Sequence, residues 1–358
     1  MAGGGTGGHL FPALALAEEF RGRDTLASIT FIGAKGGLEE RIVPKYGYPL
    51  KVLSVEGIKR RGTLKKIKAL VLAFSSTIKA LGILKDLNPD GVIGSGGYSS
   101  APVVFAARLL GIRTAVLEQN ALPGLTNRVL GKVVDRVYVS FDEARRHFPG
   151  GKTVLAGNPV RKEILKGASD KRARSKGERF SILVFGGSQG AVAINAAFLD
   201  ATEYLTDIWP NLLVVHQTGE DGYEKAKEGY KRKNLKAEVF KFIDDMATAY
   251  KGVDLVVCRA GATSLAEITA LGIPSILIPY PFAADDHQSA NARCLSDAGG
   301  AVMIRQDELT GASLASAIKR LYGDFEAAEA MRKKARALGR PGAAKTIADD
   351  FLKIIGKG

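Results

Sequence analysis

Residues 254–291 read DLVVCRAGATSLAEITALGIPSILIPYPFAADDHQSAN. Asp254 to Cys258 is a short apolar run suited to a buried parallel strand, and Arg259 to Ala262 is a turn of small residues. Thr263 to Leu271 then has helical spacing, which Gly272 ends. A strand feeding a helix in this way points the helix N-terminus at the crevice beyond the strand ends. Backbone N–H groups and the helix dipole at such a junction bind phosphate. Glu267, one turn into the helix, adds a carboxylate that can accept two ribose hydroxyls. The logic repeats downstream: the strand Pro274 to Pro279 precedes Asp285-Asp286-His287-Gln288, where an aspartate can cap a helix. Gln288 and Asn291, three apart, share one helix face, and two amides there suit a polyhydroxylated sugar. The stretch has the layout of a nucleotide-sugar site on an α/β fold.

The chain has 358 residues, more than one hydrophobic core usually spans, which predicts two α/β domains. Charged residues at 25% and hydrophobic ones at 46% describe an ordinary globular chain. No apolar run reaches the ~18 residues needed to cross a bilayer. No charged-then-apolar leader opens the sequence, and two cysteines, Cys258 and Cys294, are too few for a disulfide scaffold, so a reducing cytoplasm is expected.

Strand and helix patterns alternate through both halves, which predicts doubly wound sheets. In the first half the expected strands are Ser28 to Gly33, Gly91 to Gly94, Thr114 to Glu118 and Arg136 to Ser140. The expected helices are Pro12 to Phe20, Ala101 to Leu110 and Leu125 to Leu130. The charged, apolar-poor tract Lys166 to Arg179 separates these from a strand at Ser181 to Phe185. Helical patterns at Glu326 to Leu338 and Ala343 to Ile355 close the chain. We divide it into residues 1–162 and 163–335, with 336–358 as a closing helix that packs back on the first domain.

The formal charge of +14 is uneven, since residues 1–160 hold 22 Lys/Arg against 12 Asp/Glu. Within them, Gly57 to Lys85 has eight basic residues and no acidic one, and Leu64, Ile67, Val71, Phe74, Ile78 and Leu81 recur at helical spacing. That stripe fits core packing beneath a solvated lysine face. It equally fits a membrane-surface patch, where Leu64, Ile67, Val71 and Phe74 enter the interface and Lys65 and Lys68 meet anionic headgroups at about 1 kcal/mol each. Nucleic acid fits less well: one aromatic serves the segment, and no zinc-finger or RNA-binding signature occurs.

Glycine-rich turns follow strands in three places. The first, Gly3-Gly4-Gly5-Thr6-Gly7-Gly8-His9, satisfies G-x-G-x-x-G. The strand ending at Gly33-Ala34 lacks the acid that a dinucleotide enzyme uses for its ribose, so a dinucleotide site is not expected. The others are Gly94 to Tyr98 and Gly186 to Gly190; each either binds phosphate or simply turns tightly. His9 can reach beyond the first loop, where an imidazole can take a proton from an attacking hydroxyl near neutral pH; a capping or binding role fits its position as well. His147, His216 and His287 lack ligand spacing and no Asp-x-Asp occurs, so neither a metal nor a cofactor is expected.

Seven pieces, taken together, resemble the MurG family of membrane-associated N-acetylglucosaminyltransferases of peptidoglycan synthesis. They are GGGTGGHLFPALALAEE, GSGGYSSAPVVFAARLLGI, LEQNALPGLTNRVL, GNPVR, VFGGSQGA, VCRAGATSLAEITALGIPSILIPYP and DDHQSANA. The resemblance implies a GT-B fold, two Rossmann-like doubly wound α/β domains facing a cleft, the first handling the acceptor and the second mainly the UDP-sugar. It implies inverting transfer of N-acetylglucosamine from UDP-GlcNAc to a lipid-linked muramoyl-peptide acceptor, at the cytoplasmic face of a bacterial membrane. By the same resemblance Glu267 holds the ribose, Ser188 and Arg161 the diphosphate, the backbone at Ile243 the uracil, and Gln288 and Asn291 the sugar. Thr6, Gly7, Gly8, Asn127, Arg259 and Ala262 complete the donor set. Tyr98, Glu118 and Asn120 serve the acceptor, and His9, Glu118 and Asn120 the chemistry.

One departure stands out: only Met1 and Ala2 precede Gly3, where the family pattern has a full apolar strand. A missing first strand and a chain that begins late are therefore expected. Two other functions remain open, a related transferase acting on diacylglycerol and a non-catalytic membrane-bound scaffold.

Overall fold

A computed structural model describes residues 1–54, 63–97, 99–166, 179–187 and 189–357, with only the backbone described over 63–73. The chain forms two units, Met1–Arg161 with Pro341–Gly358, and Lys162–Arg340.

In chain order the first unit contains β1 (Ala2–Gly3), α1 (Gly7–Arg23), β2 (Phe31–Ala34), α2 (Leu38–Ile42), β3 (Leu50–Leu53), α3 (Thr63–Leu87) and β4 (Gly91–Gly96). It continues with α4 (Ser100–Leu109), β5 (Arg113–Glu118), α5 (Leu125–Leu130), β6 (Arg136–Val139) and β7 (Thr153–Leu155). All seven strands are parallel, in the order β3-β2-β1-β4-β5-β6-β7. Chain order reverses at β1 and β4, and their C-terminal ends open the crevice where α/β sheets bind ligands.

The strand expected to be missing is present, reduced to Ala2 and Gly3 at the centre of the sheet. Ala2 pairs with Ile32 on one side and Gly94 on the other, and Gly3 with Gly96. The main chain of Met1 extends this join: its carbonyl accepts the Ile32 N–H at 2.8 Å and its nitrogen donates to the Thr30 carbonyl at 2.8 Å. Ala2 and Gly3 satisfy the ladder groups next to the glycine turn. The Met1 nitrogen is buried there. A cavity of about 410 Å³ lies beyond it, lined by Ile29, Leu84, Val92 and Phe351 among others.

The second unit runs α6 (Lys162–Lys166), β8 (Phe180–Phe185), α7 (Val192–Ala201), β9 (Leu212–Gln217), α8 (Tyr223–Arg232), β10 (Glu238–Phe240) and α9 (Met246–Ala249). Then follow β11 (Leu255–Cys258), α10 (Ala262–Leu271), β12 (Ser275–Leu277), α11 (His287–Ser296), β13 (Val302–Met303), α12 (Gly311–Gly323) and α13 (Phe325–Leu338). Its six parallel strands lie in the order β10-β9-β8-β11-β12-β13. Strand β11 is buried along its whole length, as expected of a central strand covered by helices on both faces. The last helix, α14 (Ala343–Ile354), belongs to the first unit and packs on α1. Phe20 and Phe351 meet edge-on at 6.4 Å, Arg23 pairs with Asp349, and Asp350 takes both Arg136 and the Tyr138 hydroxyl. The Leu64 to Leu81 stripe lies on α3. No described helix is long and apolar enough to cross a membrane.

Candidate functional site

In the second unit, Gly261 precedes α10 without a side-chain cap, so the helix presents its first turn at the end of β11. Glu267 is buried on this helix, and its carboxylate accepts the Tyr250 hydroxyl at 3.1 Å, which fixes its rotamer. Cys258 ends the strand beside it. Burial, with the charge of Glu267 adding to it, pushes that thiol up and keeps it from acting as a nucleophile. Arg259 and Asn291 tie the two strand-to-helix junctions together. Arg259 donates to the carbonyls of Ile278 and Pro279 at 3.2 and 3.1 Å and to Gln306 at 2.6 Å. Asn291, fully buried, donates to the Ala260 carbonyl at 3.2 Å. Gln288 accepts the Tyr280 N–H at 3.0 Å, bracing the loop before α11.

Arg259, Gln288 and Asn291 thus brace the two turns, while Ala262 and Glu267 lie on the helix that follows the first of them. Asp286 precedes α11, yet its carboxylate accepts the Ser289 hydroxyl at 2.6 Å and caps no backbone N–H. Asp285 and Asp286 both have φ of +52°, in the left-handed region, rather than the extended backbone usual at an N-cap.

The loop between β8 and α7 starts at Gly186 and enters α7 through Ala191, again with no side-chain cap. Gly190 has φ of +73°, and a Cβ there would stand 2.0 Å from the Thr218 carbonyl oxygen, so only glycine fits. Thr218 is held in turn by Asn195, whose amide donates to that same carbonyl at 2.8 Å. Because this fixes the amide orientation, Asn195 Oδ1 accepts from His216 Nε2 at 3.1 Å, and His216 Nδ1 accepts the Tyr230 hydroxyl at 2.9 Å. Burial lowers His216 to about 4 and leaves it neutral.

Ile243 joins this region through Gln217, which the sequence reading missed. Buried at the C-terminal end of β9, Gln217 donates to the Gly187 carbonyl at 2.9 Å and accepts the Ile243 N–H at 3.2 Å. One side chain links the two loops assigned to diphosphate and uracil. Its position at a strand end was the available signal. Ser188 itself lies outside the described residues.

In the first unit, Thr6 precedes α1, and Gly7, Gly8 and His9 form its first turn. His9 Nδ1 lies 3.2 Å from Gln119 Oε1. The imidazole fits because position 96 is glycine: with φ of +99°, a Cβ there would come within 2.6 Å of Nδ1. Glu118 is buried and gathers its own loop. It accepts the Asn120 N–H and amide at 2.9 and 3.3 Å, the Gly124 N–H at 3.3 Å and the Asn127 amide at 2.9 Å. Burial raises its carboxyl above the usual range, and these donors oppose the rise. Asn127 also donates to the Leu117 carbonyl at 2.9 Å. Glu118, Asn120 and Asn127 therefore form a loop-holding cluster at the end of β5. Arg161 is buried in this unit with its guanidinium 4.6 Å over the Phe11 ring. Tyr98 lies outside the described residues, as do the side chains of Leu64, Lys65, Ile67, Lys68 and Val71.

Glu39 was also missed. Fully buried at the start of α2, it accepts the Gly5 N–H at 2.8 Å and the Ala34 N–H at 2.7 Å. The first glycine loop thus wraps a carboxylate supplied by the protein itself.

Comparison with known proteins agrees with this geometry. The glycosyltransferase family 28 N-terminal domain matches residues 1–139 and the C-terminal domain of that family residues 181–347. A UDP-N-acetylglucosamine–N-acetylmuramyl-(pentapeptide) pyrophosphoryl-undecaprenol N-acetylglucosamine transferase of Myxococcus xanthus is 51% identical, covering 99% of this chain and 92% of its own. One of the same description from Syntrophus aciditrophicus is 48% identical over 99% of this chain and 98% of its own. The crystal structure of Acinetobacter baumannii MurG superposes with a TM-score of 0.79 at 32% identity, covering 98% of this chain and 97% of that one. Carrying both family 28 domains and these near-full-length relatives, the chain belongs to the MurG family of glycosyltransferases, built on the GT-B fold.

Proposed function

We propose that the chain transfers N-acetylglucosamine from UDP-N-acetylglucosamine to the muramoyl sugar of an undecaprenyl-diphosphate-linked peptide, with inversion. The observation that carries the donor half is Glu267, a buried carboxylate on an uncapped helix at a strand end, fixed by Tyr250. That arrangement suits a ribose beside a phosphate. The acceptor half rests on the relatives, whose printed names specify that substrate over 99% of this chain. A hydroxyl of the muramoyl sugar attacks the anomeric carbon as the bond to UDP breaks, and His9 takes the hydroxyl proton. Glu267 holds the ribose, the backbone at Ile243 the uracil, and the 186–190 loop with Arg161 the diphosphate. Charge developing on that leaving group is stabilised electrostatically. We assign Gln288 to the transferred sugar, and Glu118, Asn120 and Asn127 to shaping the acceptor loop.

The acceptor is a lipid, and the first unit carries an apolar surface suited to one. Phe74 and Ile78 of α3 are 70% and 54% exposed, and Phe105 and Leu109 of the neighbouring α4 are exposed too. With Lys79 and Lys85 on the same helix, this surface supports peripheral attachment to anionic lipid, at the cytoplasmic face.

The test incubates the purified chain with UDP-N-acetylglucosamine and a short-chain lipid-linked muramoyl peptide and weighs the lipid by mass spectrometry. A gain of one N-acetylhexosamine is expected; no gain, with UDP still bound, would move the assignment to another acceptor. Co-sedimentation with vesicles containing anionic lipid, set against purely zwitterionic ones, checks the membrane surface.

A further inference from the structure

We propose that Gln119 sets the tautomer of His9, holding the proton on Nδ1 so that Nε2 presents the lone pair. The inference rests on the reading of His9 as the proton acceptor, and it deepens that reading by assigning the nitrogen and the residue that selects it.

The argument is one of hydrogen-bond accounting. Gln119 is buried at the C-terminal end of β5, and its Nε2 donates to the Ser95 carbonyl at 2.9 Å. A carbonyl oxygen only accepts, so the amide cannot be flipped without facing two acceptors with one another. Its Oε1 is thereby the atom turned to His9 Nδ1, at 3.2 Å. That oxygen has no proton to give, and Nδ1 must donate. In a neutral imidazole Nε2 is then the basic nitrogen. Three elements enforce the arrangement: β4 supplies the Ser95 carbonyl, the residue just after β5 the amide and α1 the imidazole. Gly96 supplies the room, since any side chain there would displace the ring.

Among the described residues, charged groups on neighbouring elements have partners of their own. Glu39 of α2 accepts the Gly5 and Ala34 N–H groups, and Glu118 of β5 is held by Asn120, Gly124 and Asn127. Arg161 lies over Phe11, and on α14 Asp349 pairs with Arg23, at the far end of α1. Strand β4 carries no ionisable side chain. Gln119, being a neutral amide, orients the imidazole without itself adding charge. This suits a base that must stay deprotonated near pH 7.

Two measurements test the proposal. Nitrogen-15 spectra of protein labelled at its four histidines, with His9 assigned by its loss in His9→Gln, should show Nδ1 protonated and Nε2 bare at pH 8. The reverse tautomer overturns the proposal with no variant at position 119 needed. Second, pH profiles of kcat/KM are compared for wild type, Gln119→Glu and Gln119→Leu. A carboxylate facing Nδ1 should move the acid limb up by about one pH unit. Gln119→Leu should lower kcat roughly 10-fold to 100-fold, with the KM for UDP-N-acetylglucosamine within about twofold. Profiles that superimpose in all three proteins, while His9→Ala is inactive, overturn the role of Gln119 alone. Full activity of His9→Ala overturns the base assignment beneath it.

Discussion

The loops Gly3–Gly8 and Gly186–Gly190 look alike in sequence, each leading from a central strand into a helix, yet the structure supports them in opposite ways. The first closes around a carboxylate of its own chain. Glu39 accepts the Gly5 N–H, and Gly4, Gly33 and Gly37 stand so close that a Cβ on any of them would lie within 2.3–2.5 Å of it. Among the described residues no carboxylate accepts a backbone N–H of the second loop. It is held by neutral amides instead, Gln217 on Gly187 and Asn195 through Thr218. A glycine-rich turn with an internal anion is already electrostatically complete, whereas one held by amides keeps its appetite for phosphate. The formal dinucleotide signature at residues 3–8 is thus spent on Glu39, which favours residues 186–190 for the diphosphate of the proposed donor.

Removing the internal anion should break this contrast hardest. Glu39→Ala leaves two buried N–H groups without their acceptor and should cost about 3 kcal/mol of stability in the first unit. Transfer should be lost, and UDP affinity, which we assign mainly to residues of the second unit, should stay within about twofold. Urea unfolding followed by circular dichroism reads the first effect and calorimetric titration the second. A loss under about 1 kcal/mol would show that Glu39 does not support the loop.

Acid should do to the second loop what that substitution does to the first. His216 is lowered to about 4 in the fold from an ordinary 6.5, so the unfolded chain binds its proton first. Stability from this group is full above pH 6.5 and falls as pH drops toward 4, by about 3 kcal/mol in all. Trp209, the single tryptophan, stacks 6.2 Å from Tyr230 of the same network and reports it by fluorescence. His216→Gln should lose about 3 kcal/mol less than wild type between pH 7 and 4. Equal slopes would place the acid sensitivity elsewhere.

These two supports mark the limit of what the sequence displays. Strand-to-helix junctions are legible because their signals are local: β11 and α10 fall within a residue of their expected bounds, and α5 coincides with its pattern. Glu267 was visible for the same reason, standing one turn past a small-residue turn. Glu39, Gln119 and Gln217 were not, because each acts on a backbone or side-chain group 26 to 110 residues away. No periodicity encodes such a reach. The first strand was misjudged by the reverse error. Its length was read locally, while its pairing to Ile32 and Gly94 depends on partners that the first three residues do not reveal. Glu118 was singled out by resemblance alone; what the sequence does not display is that the carboxylate is buried and accepts four donors from its own loop.

Within the donor half, Glu267→Ala should weaken UDP by about 2 kcal/mol, roughly 30-fold, because a buried carboxylate accepting ribose hydroxyls is a charge-assisted acceptor. Uridine should weaken by the same factor, since the contact is to the sugar. An equal affinity of wild type and variant for UDP removes Glu267 from the site.

Gln217 gives the smallest effect and the sharpest reading of the comparison. If amides hold the second loop open for phosphate, Gln217→Ala should cost UDP about 1.5 kcal/mol, roughly tenfold, as both the Gly187 and Ile243 contacts go. Uridine, which lacks the diphosphate we assign to the 186–190 loop, should lose only the Ile243 half of that support and weaken by about threefold. The ratio between the two ligands is the informative quantity, because general loosening of the second unit would weaken both alike. A shared factor would reduce Gln217 to packing. A larger loss for UDP would mean that the loop draws its phosphate geometry from a side chain at the end of β9, 30 residues from the glycine it holds.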